Sequence, residues 1–250
     1  MSEVIRKSIT LLTTIIPNAD KEEWSATEVS RQLDIPIQTV HRLLSSLSEY
    51  GFVFKNRETK KFRLGLTLMQ LGLSIRDNLL VRNSALPIME KLAMKTKESV
   101  YLTVSEGNEG VFIDCVNAEL FLKVAEPIGM SNPLCKGASK KVILAHMKKK
   151  TRQQIIRDLI GQGKIHDINR FETELKQIKE SGIAVSFGET TKGTVSVAAP
   201  IFSWEDKVVA SISLGGLESR FREQQIRHFV CEIKRGAEEI SENLGWVKPR

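Results

Sequence analysis

One helical segment of this chain carries a polar face that contains no acidic residue. In IQTVHRLLSSLSEYG (residues 37–51), apolar residues recur at three- and four-residue spacings, as on one face of an amphipathic helix. The opposite face consists of Gln38, Thr39, His41, Arg42, Ser45 and Ser46. Amide, hydroxyl and guanidinium groups can hydrogen-bond to base edges and phosphates, so the pattern predicts a helix that lies against duplex DNA.

The first turns of this helix are expected to reach the bases. Gln38, Thr39 and Arg42 are the candidates for base contacts, whereas His41 either contacts a phosphate or covers the surface. The preceding helix is expected to contribute two residues at its start. The predicted helical DNA contacts are therefore Ser25, Thr27, Gln38, Thr39, His41, Arg42 and Ser45.

A basic stretch follows the helix directly. KNRETKKFR (residues 55–63) contains a single acid, Glu58, and five cations: Lys55, Arg57, Lys60, Lys61 and Arg63. Lysine and arginine bind phosphates and release counterions, which gives affinity that does not depend on base sequence. Because strand residues alternate between two faces, some of the five must point away from the DNA.

The elements around these residues predict a winged helix-turn-helix domain over residues 1–65. A first helix over residues 5–16 is predicted from the stripe Ile5, Ile9, Leu12 and Ile16. Ser-Ala-Thr-Glu (25–28) is a capping box that starts a second helix, and Asp34-Ile35-Pro36 forms the turn.

The third helix is predicted from Pro36 to Tyr50. Ile37, Val40, Leu44 and Leu47 are expected to face the core, and Gly51 to end the helix. Residues 52–54 and 62–64 then form the two strands of a hairpin, the wing, around a tip at residues 56–60.

Composition limits the remaining possibilities. The 250 residues carry a net charge of +7, which favours a polyanionic partner. The longest apolar runs are too short to span a bilayer, and we expect a cytoplasmic protein. Cys115, Cys135 and Cys231 lie far apart with no CxxC pair, so neither a metal site nor a disulfide framework is expected. A second basic run, residues 148–150, is interpreted as a solvated helix end.

The rest of the chain has the pattern of an α+β domain. Residues 66–82 predict a leucine-rich linker helix, and residues 83–250 an effector-binding domain with antiparallel hairpins. Strands are expected at 100–104, 111–116, 121–125, 183–187, 194–202 and 208–214. Helices are expected up to residue 97 and over 138–147, 151–159, 170–181 and 222–244.

This second domain has features of a binding pocket and none of the common catalytic motifs. Gly137-Ala138-Ser139 opens a helix, whose free N–H groups would favour an anion. The hydroxyls of Ser196, Ser211 and Ser213 lie on apolar strands, where they either bond locally or line a cavity. Cys115 could pair with a histidine as a nucleophile, but a buried strand cysteine is the commoner arrangement. We expect no enzyme and no cofactor.

The chain resembles the IclR family of bacterial transcriptional regulators over about residues 4–246. The resemblance rests on ATEVSRQLDIPIQTVHRLLSSLSEYGFV with its basic wing and FRLG, on NPLCKGASKKVILAHM, and on SGIAVSFGETTKGTVSVAAPIFSWEDKVVASISLGG. It implies a winged helix-turn-helix domain, a linker helix and a GAF-like effector domain with a central antiparallel sheet. Family members are dimers or tetramers that bind palindromic operators and respond to small organic molecules, often carboxylates or aromatics.

The resemblance also implies an effector site. It maps onto Gly137, Ala138, Ser139, Ser196, Ser211 and Ser213, with Phe121, Val124, Met130 and Glu189 on neighbouring walls. The chain departs from the family pattern at two positions. Lys140 stands where glycine is common, and Cys135 where histidine is common. Lys140 is either a counter-charge for the ligand or a solvated side chain, and we favour the solvated side chain.

The leading hypothesis is a transcriptional regulator, expected to be a repressor, whose operator binding responds to a small organic ligand. One alternative is a metabolite-processing enzyme with an accessory DNA-binding module. Another is a thiol-based redox sensor that uses Cys115 or Cys135.

Overall fold

The computed structural model describes residues 2–18, 21–119, 123–124 and 126–248. The chain divides into two compact units, Met1–Asn78 and Leu79–Arg250. Among the described residues, no helix is both long enough and apolar enough to cross a membrane.

The N-terminal unit is a winged helix-turn-helix. Its elements are α1 (Glu3–Thr14), α2 (Ala26–Leu33), α3 (Ile37–Glu49), β1 (Val53–Lys55), β2 (Phe62–Leu64) and α4 (Leu66–Asp77). β1 and β2 pair antiparallel to form the wing. Val40 and Leu44 of α3 pack with Val53 and Phe62 of the wing in one core cluster.

The predicted capping box is confirmed. The Ser25 hydroxyl accepts a hydrogen bond from the Glu28 N–H, and the Glu28 carboxylate accepts one from the Ser25 N–H. Asp34 ends α2 in the left-handed conformation (φ 52°), and the Ser30 hydroxyl donates to the Ile35 carbonyl at 2.6 Å. These contacts hold the turn that sets α2 against α3.

The apolar stripe predicted for the first helix is wrong. Ile5, Ile9 and Ile16 are exposed, whereas Leu11 and Ile15 are fully buried. The helix carries two apolar stripes about one residue apart, and only one of them can face the three-helix core. Ile37 was also expected in the core, but it lies at the start of α3 and is exposed.

The sequence predicts one linker helix over residues 66–82. In the structure this range contains two helices, because α4 ends at Asp77 and α5 begins at Leu80. No residue of α4 is buried.

The C-terminal unit is built on an antiparallel sheet of six strands in the order β5-β4-β3-β8-β7-β6. The strands are β3 (Ser99–Glu106), β4 (Glu109–Val116), β5 (Ser131–Pro133), β6 (Ala184–Phe187), β7 (Thr194–Phe202) and β8 (Val208–Leu217). The helices are α5 (Leu80–Thr96), α6 (Ala138–His146), α7 (Lys149–Gly161), α8 (Ile168–Ser181) and α9 (Glu223–Asn243), with a 3-10 turn at Glu218–Arg220.

Each face of the sheet has its own core. Val197 and Leu214 belong to the cluster with α5 and α9, and Ala198 belongs to the cluster with α6, α7 and α8. In the strand register, Ser213 pairs with both Ala198 and Tyr101. The three side chains therefore lie on the face that α6 covers.

The predicted strand at 121–125 falls largely outside the described residues. Lys123 and Val124 are described, and neither lies in a strand. β5 instead occupies residues 131–133, which were expected to be part of a loop.

Candidate functional site

Within the described part of the chain, the side chains on the polar face of α3 form no hydrogen bonds and no ion pairs. Gln38, His41, Arg42 and Ser45 are exposed, and Thr39 is half-buried. Among the described residues, none of these five side chains takes part in a hydrogen bond or an ion pair. The groups predicted to contact DNA are therefore available for intermolecular hydrogen bonds.

A ring contact adds to the core packing of the wing against α3. The ring of His41 meets Phe62 edge-on at a centroid distance of 6.2 Å. His41 therefore takes part in the contact between α3 and β2 while remaining exposed.

The five cations of the wing do not share one environment. The guanidinium of Arg63 lies 4.4 Å from the ring centroid of Phe54 and also donates to the Leu64 carbonyl at 3.2 Å. The Lys55 amine lies 5.4 Å from the centroid of Phe62. The three remaining cations, Arg57, Lys60 and Lys61, are exposed. The tip of the hairpin thus presents exposed charge, and the cations of the strands lie against aromatic rings.

The tip is held by an acid that the sequence analysis missed. Glu23 accepts hydrogen bonds from the Asn56 amide at 2.9 Å and from the Thr59 hydroxyl at 2.8 Å. These bonds lower the pKa of Glu23, with Asn56 the larger cause. Asn56 Oδ1 in turn accepts from the N–H groups of Glu58 and Thr59. The sequence gives no sign that Glu23, which stands before a helix, will hold a loop that lies 33 residues further along the chain.

Ser25 is less available than predicted. Its hydroxyl is engaged twice with Glu28, as acceptor from the N–H and as donor to the carboxylate at 2.8 Å. Hydrogen bonds from Lys21 and Ser25 hold the pKa of Glu28 at about 2, so the carboxylate stays charged. Thr27 is exposed, and its hydroxyl forms no hydrogen bond among the described residues.

In the C-terminal unit, most of the predicted effector residues meet at a small cavity of about 30 Å³. Its walls include Val124, Gly137, Ala138, Ser139, Glu189, Ser196 and Ser213. Met130 and Ser211 do not line it, and Phe121 lies outside the described residues. Ser211 is fully buried and donates its hydroxyl hydrogen bond to the Ser139 carbonyl at 2.8 Å, so its role is local.

The amino-terminus of α6 is not open, contrary to the prediction. The Gly137 N–H donates to the Glu189 carboxylate at 2.9 Å, and the Ala138 N–H donates to the Ser186 hydroxyl at 3.1 Å. Ser186 is in turn paired with Ser196, their oxygens 2.9 Å apart. Two of the N–H groups expected to hold an anion, those of Gly137 and Ala138, are therefore occupied by the protein itself.

Glu189 also closes an ion-pair network. The amine of Lys141 lies 2.6 Å from Glu189 Oε1 and 2.6 Å from Glu174 Oε1. Lys141 is buried, and its two acids compensate the cost of removing its charge from water. Glu189 and Lys141 also line a more open concavity of about 760 Å³. Glu189 lines the small cavity as well, so this residue forms part of the wall between the two.

Lys140 contradicts the expectation of a solvated side chain. It is 1% exposed, and its amine lies 3.4 Å from the ring centroid of Phe112. Among the described residues, no carboxylate or carbonyl oxygen accepts a hydrogen bond from this amine. Burial lowers the pKa of Lys140 to about 7, and the charge of Glu126 opposes that shift. The sequence gives no sign that Lys140 is buried, because its helix has an amphipathic pattern. In the structure, α6 is covered on all sides.

The cysteines are poorly placed for redox chemistry. Burial raises the pKa of Cys115 to about 11, and burial also raises that of Cys135. Both thiols are therefore protonated near neutral pH, where thiolates are the reactive species. Within the described residues, no group of three or more His, Cys, Asp or Glu side chains could hold a metal ion.

The chain matches two family models. Residues 9–57 match the IclR helix-turn-helix domain, and residues 74–242 match the C-terminal domain described as bacterial transcriptional regulator IclR.

Two relatives align with nearly the whole chain. The HTH-type transcriptional regulator KipR of Bacillus subtilis is 29% identical, and the alignment covers 98% of each chain. The HTH-type transcriptional repressor AllR of Escherichia coli is 28% identical over 88% of this chain and 83% of AllR.

Two solved structures have the same fold. IclR of Thermotoga maritima superposes with a TM-score of 0.78 at 27% identity, over 97% of this chain and 98% of that one. A homologue from Microbacterium hydrocarbonoxydans, crystallised with 4-hydroxybenzoate, gives 0.78 at 23% identity, over 97% and 99% of the two chains.

Proposed function

The chain belongs to the IclR family of bacterial transcriptional regulators, and on that premise we propose that α3 and the wing bind operator DNA while a small organic molecule in the cavity controls that binding. The observation that carries the proposal is the acid-free polar face of α3, which is mostly exposed and has no hydrogen bond or ion pair among the described residues, beside a wing held in place by Glu23. Groups with no internal role, next to a cationic hairpin, suit an interface with nucleic acid.

The roles within this interface follow from position. Gln38, Thr39 and Arg42 read base edges, because they lie in the first turns of α3. The cations at the hairpin tip bind phosphates, and Arg63, held on Phe54, contributes a more ordered charge. Thr27 and Ser45 add backbone contacts, while Ser25 chiefly caps α2.

We propose that the protein represses transcription, acting in the cytoplasm on its operator. AllR, which aligns with most of this chain, is named a repressor. A protein bound over a promoter can block transcription without contacting any other protein. The ligand would then shift the balance between DNA-bound and released forms. Such coupling is reciprocal, so operator DNA must also change the affinity for the ligand.

The cavity is the proposed ligand site. At about 30 Å³ it holds little more than a water molecule, so a ligand must widen it. The homologue crystallised with 4-hydroxybenzoate supports a small organic ligand for this fold, and a carboxylate is the class we propose.

Self-association completes the proposal. Leu66, Met69, Leu71 and Ile75 of α4 are exposed, and so are Ile5 and Ile9 of α1. Exposed apolar side chains on two helices of one unit suit burial against a second copy. A two-fold dimer, or a tetramer built from two such dimers, would match a palindromic operator.

The proposal is tested by footprinting the purified protein on the promoter region upstream of its own gene at low salt, with and without small carboxylates. We expect protection of a palindromic segment and its loss or gain on addition of a ligand. In parallel, light scattering should report a dimer or tetramer that Ile75→Glu converts to monomer. Gln70→Glu introduces the same charge on α4 and serves as the control. A monomeric wild type that protects no DNA would contradict the proposal.

A further inference from the structure

We propose that Lys140 is the cation that anchors the ligand, and that the ligand carries a single carboxylate that pairs with the Lys140 amine inside the cavity. This inference rests on the proposed function, in which the cavity holds the controlling molecule. It adds the charge of that molecule and the residue that selects it.

The first argument is the isolation of the amine. Lys140 is 1% exposed, and among the described residues no acid pairs directly with its amine: the face of the Phe112 ring lies 3.4 Å away, and Glu126 favours the charged form without a hydrogen bond to it. A buried charge without a paired acid is costly, and a single aromatic face compensates only a small part of that cost. The cavity that Lys140 lines therefore contains half of an ion pair.

The second argument is that the other positive groups around the cavity are already neutralised. The N–H of Gly137 and the amine of Lys141 share the Glu189 carboxylate, and Lys141 has Glu174 as a second partner. A ligand anion could take the Gly137 N–H at the start of α6 only by displacing Glu189. Lys140 is the cation that a ligand can reach without breaking an existing pair.

The acids that face the cavity limit the ligand to one negative charge. Glu126 and Glu189 both line the cavity, and Glu126 accepts a hydrogen bond from the Thr191 hydroxyl at 2.7 Å. Tyr101 stays protonated, because burial raises its pKa, and it donates to the Val124 carbonyl at 2.7 Å. A second carboxylate on the ligand would meet Glu126 without a free cation. The remaining walls, Phe112 and Val195 with the Ser213 hydroxyl, suit an apolar or hydroxylated body.

The amine is also held in position by close packing. A Cβ atom added to Gly110 would lie 2.6 Å from Cγ of Lys140, so the strand backbone leaves no space beside the lysine stem. A side chain confined in this way loses less conformational freedom when it binds a ligand.

The experiment uses the full-length protein and matched probes: acetate, propionate, benzoate and 4-hydroxybenzoate, each beside its primary amide. Binding is measured by calorimetry for wild type, Lys140→Met and Lys140→Arg. We expect wild type to bind at least one acid and to reject its amide. Lys140→Met, which keeps the length and loses the charge, should weaken acid binding by about 10- to 100-fold, the range for a hydrogen bond to a charged group. Lys140→Arg should retain part of it.

A proton readout separates direct pairing from an indirect effect of the substitution. The pKa of Lys140 is lowered to about 7, and an adjacent carboxylate would raise it. Acid binding above neutral pH should therefore take up a proton, seen as a heat that depends on the ionisation enthalpy of the buffer. Lys140→Arg stays charged, so its binding should show no uptake.

Four results would overturn the inference: no acid binds wild type, acids and amides bind equally, Lys140→Met binds as tightly as wild type, or binding takes up no proton. The first two results would also remove the carboxylate class from the proposed function, but none of the four contradicts operator binding controlled by a small organic molecule, because operator footprinting and its response to a neutral ligand are measured separately. Loss of operator binding by wild type would contradict the proposed function instead. Circular dichroism and ligand-free operator binding of each variant check that its fold is retained.

Discussion

The carboxylate of Glu189 accepts a hydrogen bond from the backbone N–H of Gly137 at 2.9 Å, so the helix terminus nearest the cavity is closed by the protein's own anion. Gly137 has φ +85°, and a Cβ atom there would lie 2.8 Å from the Thr190 hydroxyl, so the loop after β6 packs directly on the start of α6. This contact explains why the cavity is small and why its free positive charge is Lys140 rather than the helix terminus.

Removing this anion should destabilise the C-terminal unit. Glu189→Ala loses the cap on α6 and one of the two partners of Lys141, and caps of this kind contribute about 0.5–2 kcal/mol. Urea unfolding followed by circular dichroism should give a lower midpoint with an unchanged slope. Glu172→Ala, an exposed acid on α8, is the control and should have little effect. Equal midpoints for the two variants would exclude a structural role for Glu189.

Arg42 should contribute discrimination more than bulk affinity. Arg42→Ala removes an exposed guanidinium that has no internal partner, so any loss comes from the DNA complex. A bidentate contact to a base discriminates by about 1–3 kcal/mol. The variant should therefore lose about this much of its preference in binding free energy for the operator over a random duplex. Mobility-shift titrations on both DNAs measure it. If the affinity for the two DNAs falls by the same factor, Arg42 binds the backbone.

The tip of the wing should determine part of the salt dependence. Lys60→Ala with Lys61→Ala removes two exposed cations, and each lost phosphate contact should reduce the slope of log affinity against log salt by about 0.9. Binding is measured across a series of salt concentrations. Lys149→Ala with Lys150→Ala removes the same charge from α7 and should leave the slope unchanged. A slope that the wing variant does not alter would mean that both amines point into solvent.

Lys140 should make stability depend on pH in a defined window. Below about pH 7 the lysine is charged in both native and unfolded states, so the cost of burying the ammonium is present in full. Between about pH 7 and 10.5 the unfolded chain holds a proton that the native state has released, so wild type gains stability as pH rises. Lys140→Met should therefore be more stable than wild type at low pH, by about 1–4 kcal/mol.

That advantage should shrink towards pH 10.5, where the lysine is neutral in both states. Urea unfolding of both proteins at several pH values across this window measures the difference. Lys149→Met, at an exposed position, provides the comparison. A constant difference between wild type and Lys140→Met would indicate that burial does not lower the pKa of Lys140.

Local rules predicted the N-terminal unit well because its signals are short-range. The capping box at Ser25 and Glu28 spans one turn, and the structure confirms it. The strand predicted at 194–202 is observed with the same bounds, since it alternates and is bounded by turn residues. The prediction failed at α1, where the helix has two stripes and the choice between Ile9 and Leu11 depends on where the other helices lie.

The sequence by itself determined the architecture: a helix pair with a basic wing, then a mixed domain with antiparallel hairpins, and the family to which the chain belongs. The architecture follows from periodicity, capping and turn chemistry, which act over a few residues, and the family follows from the resemblance of longer motifs. Only the tertiary structure decided that Lys140 is buried beside Phe112, that Glu189 occupies the start of α6, and that Glu23 holds the wing. Each of these depends on burial or on partners more than 25 residues away along the chain, because the environment of a charge is set by what packs against it.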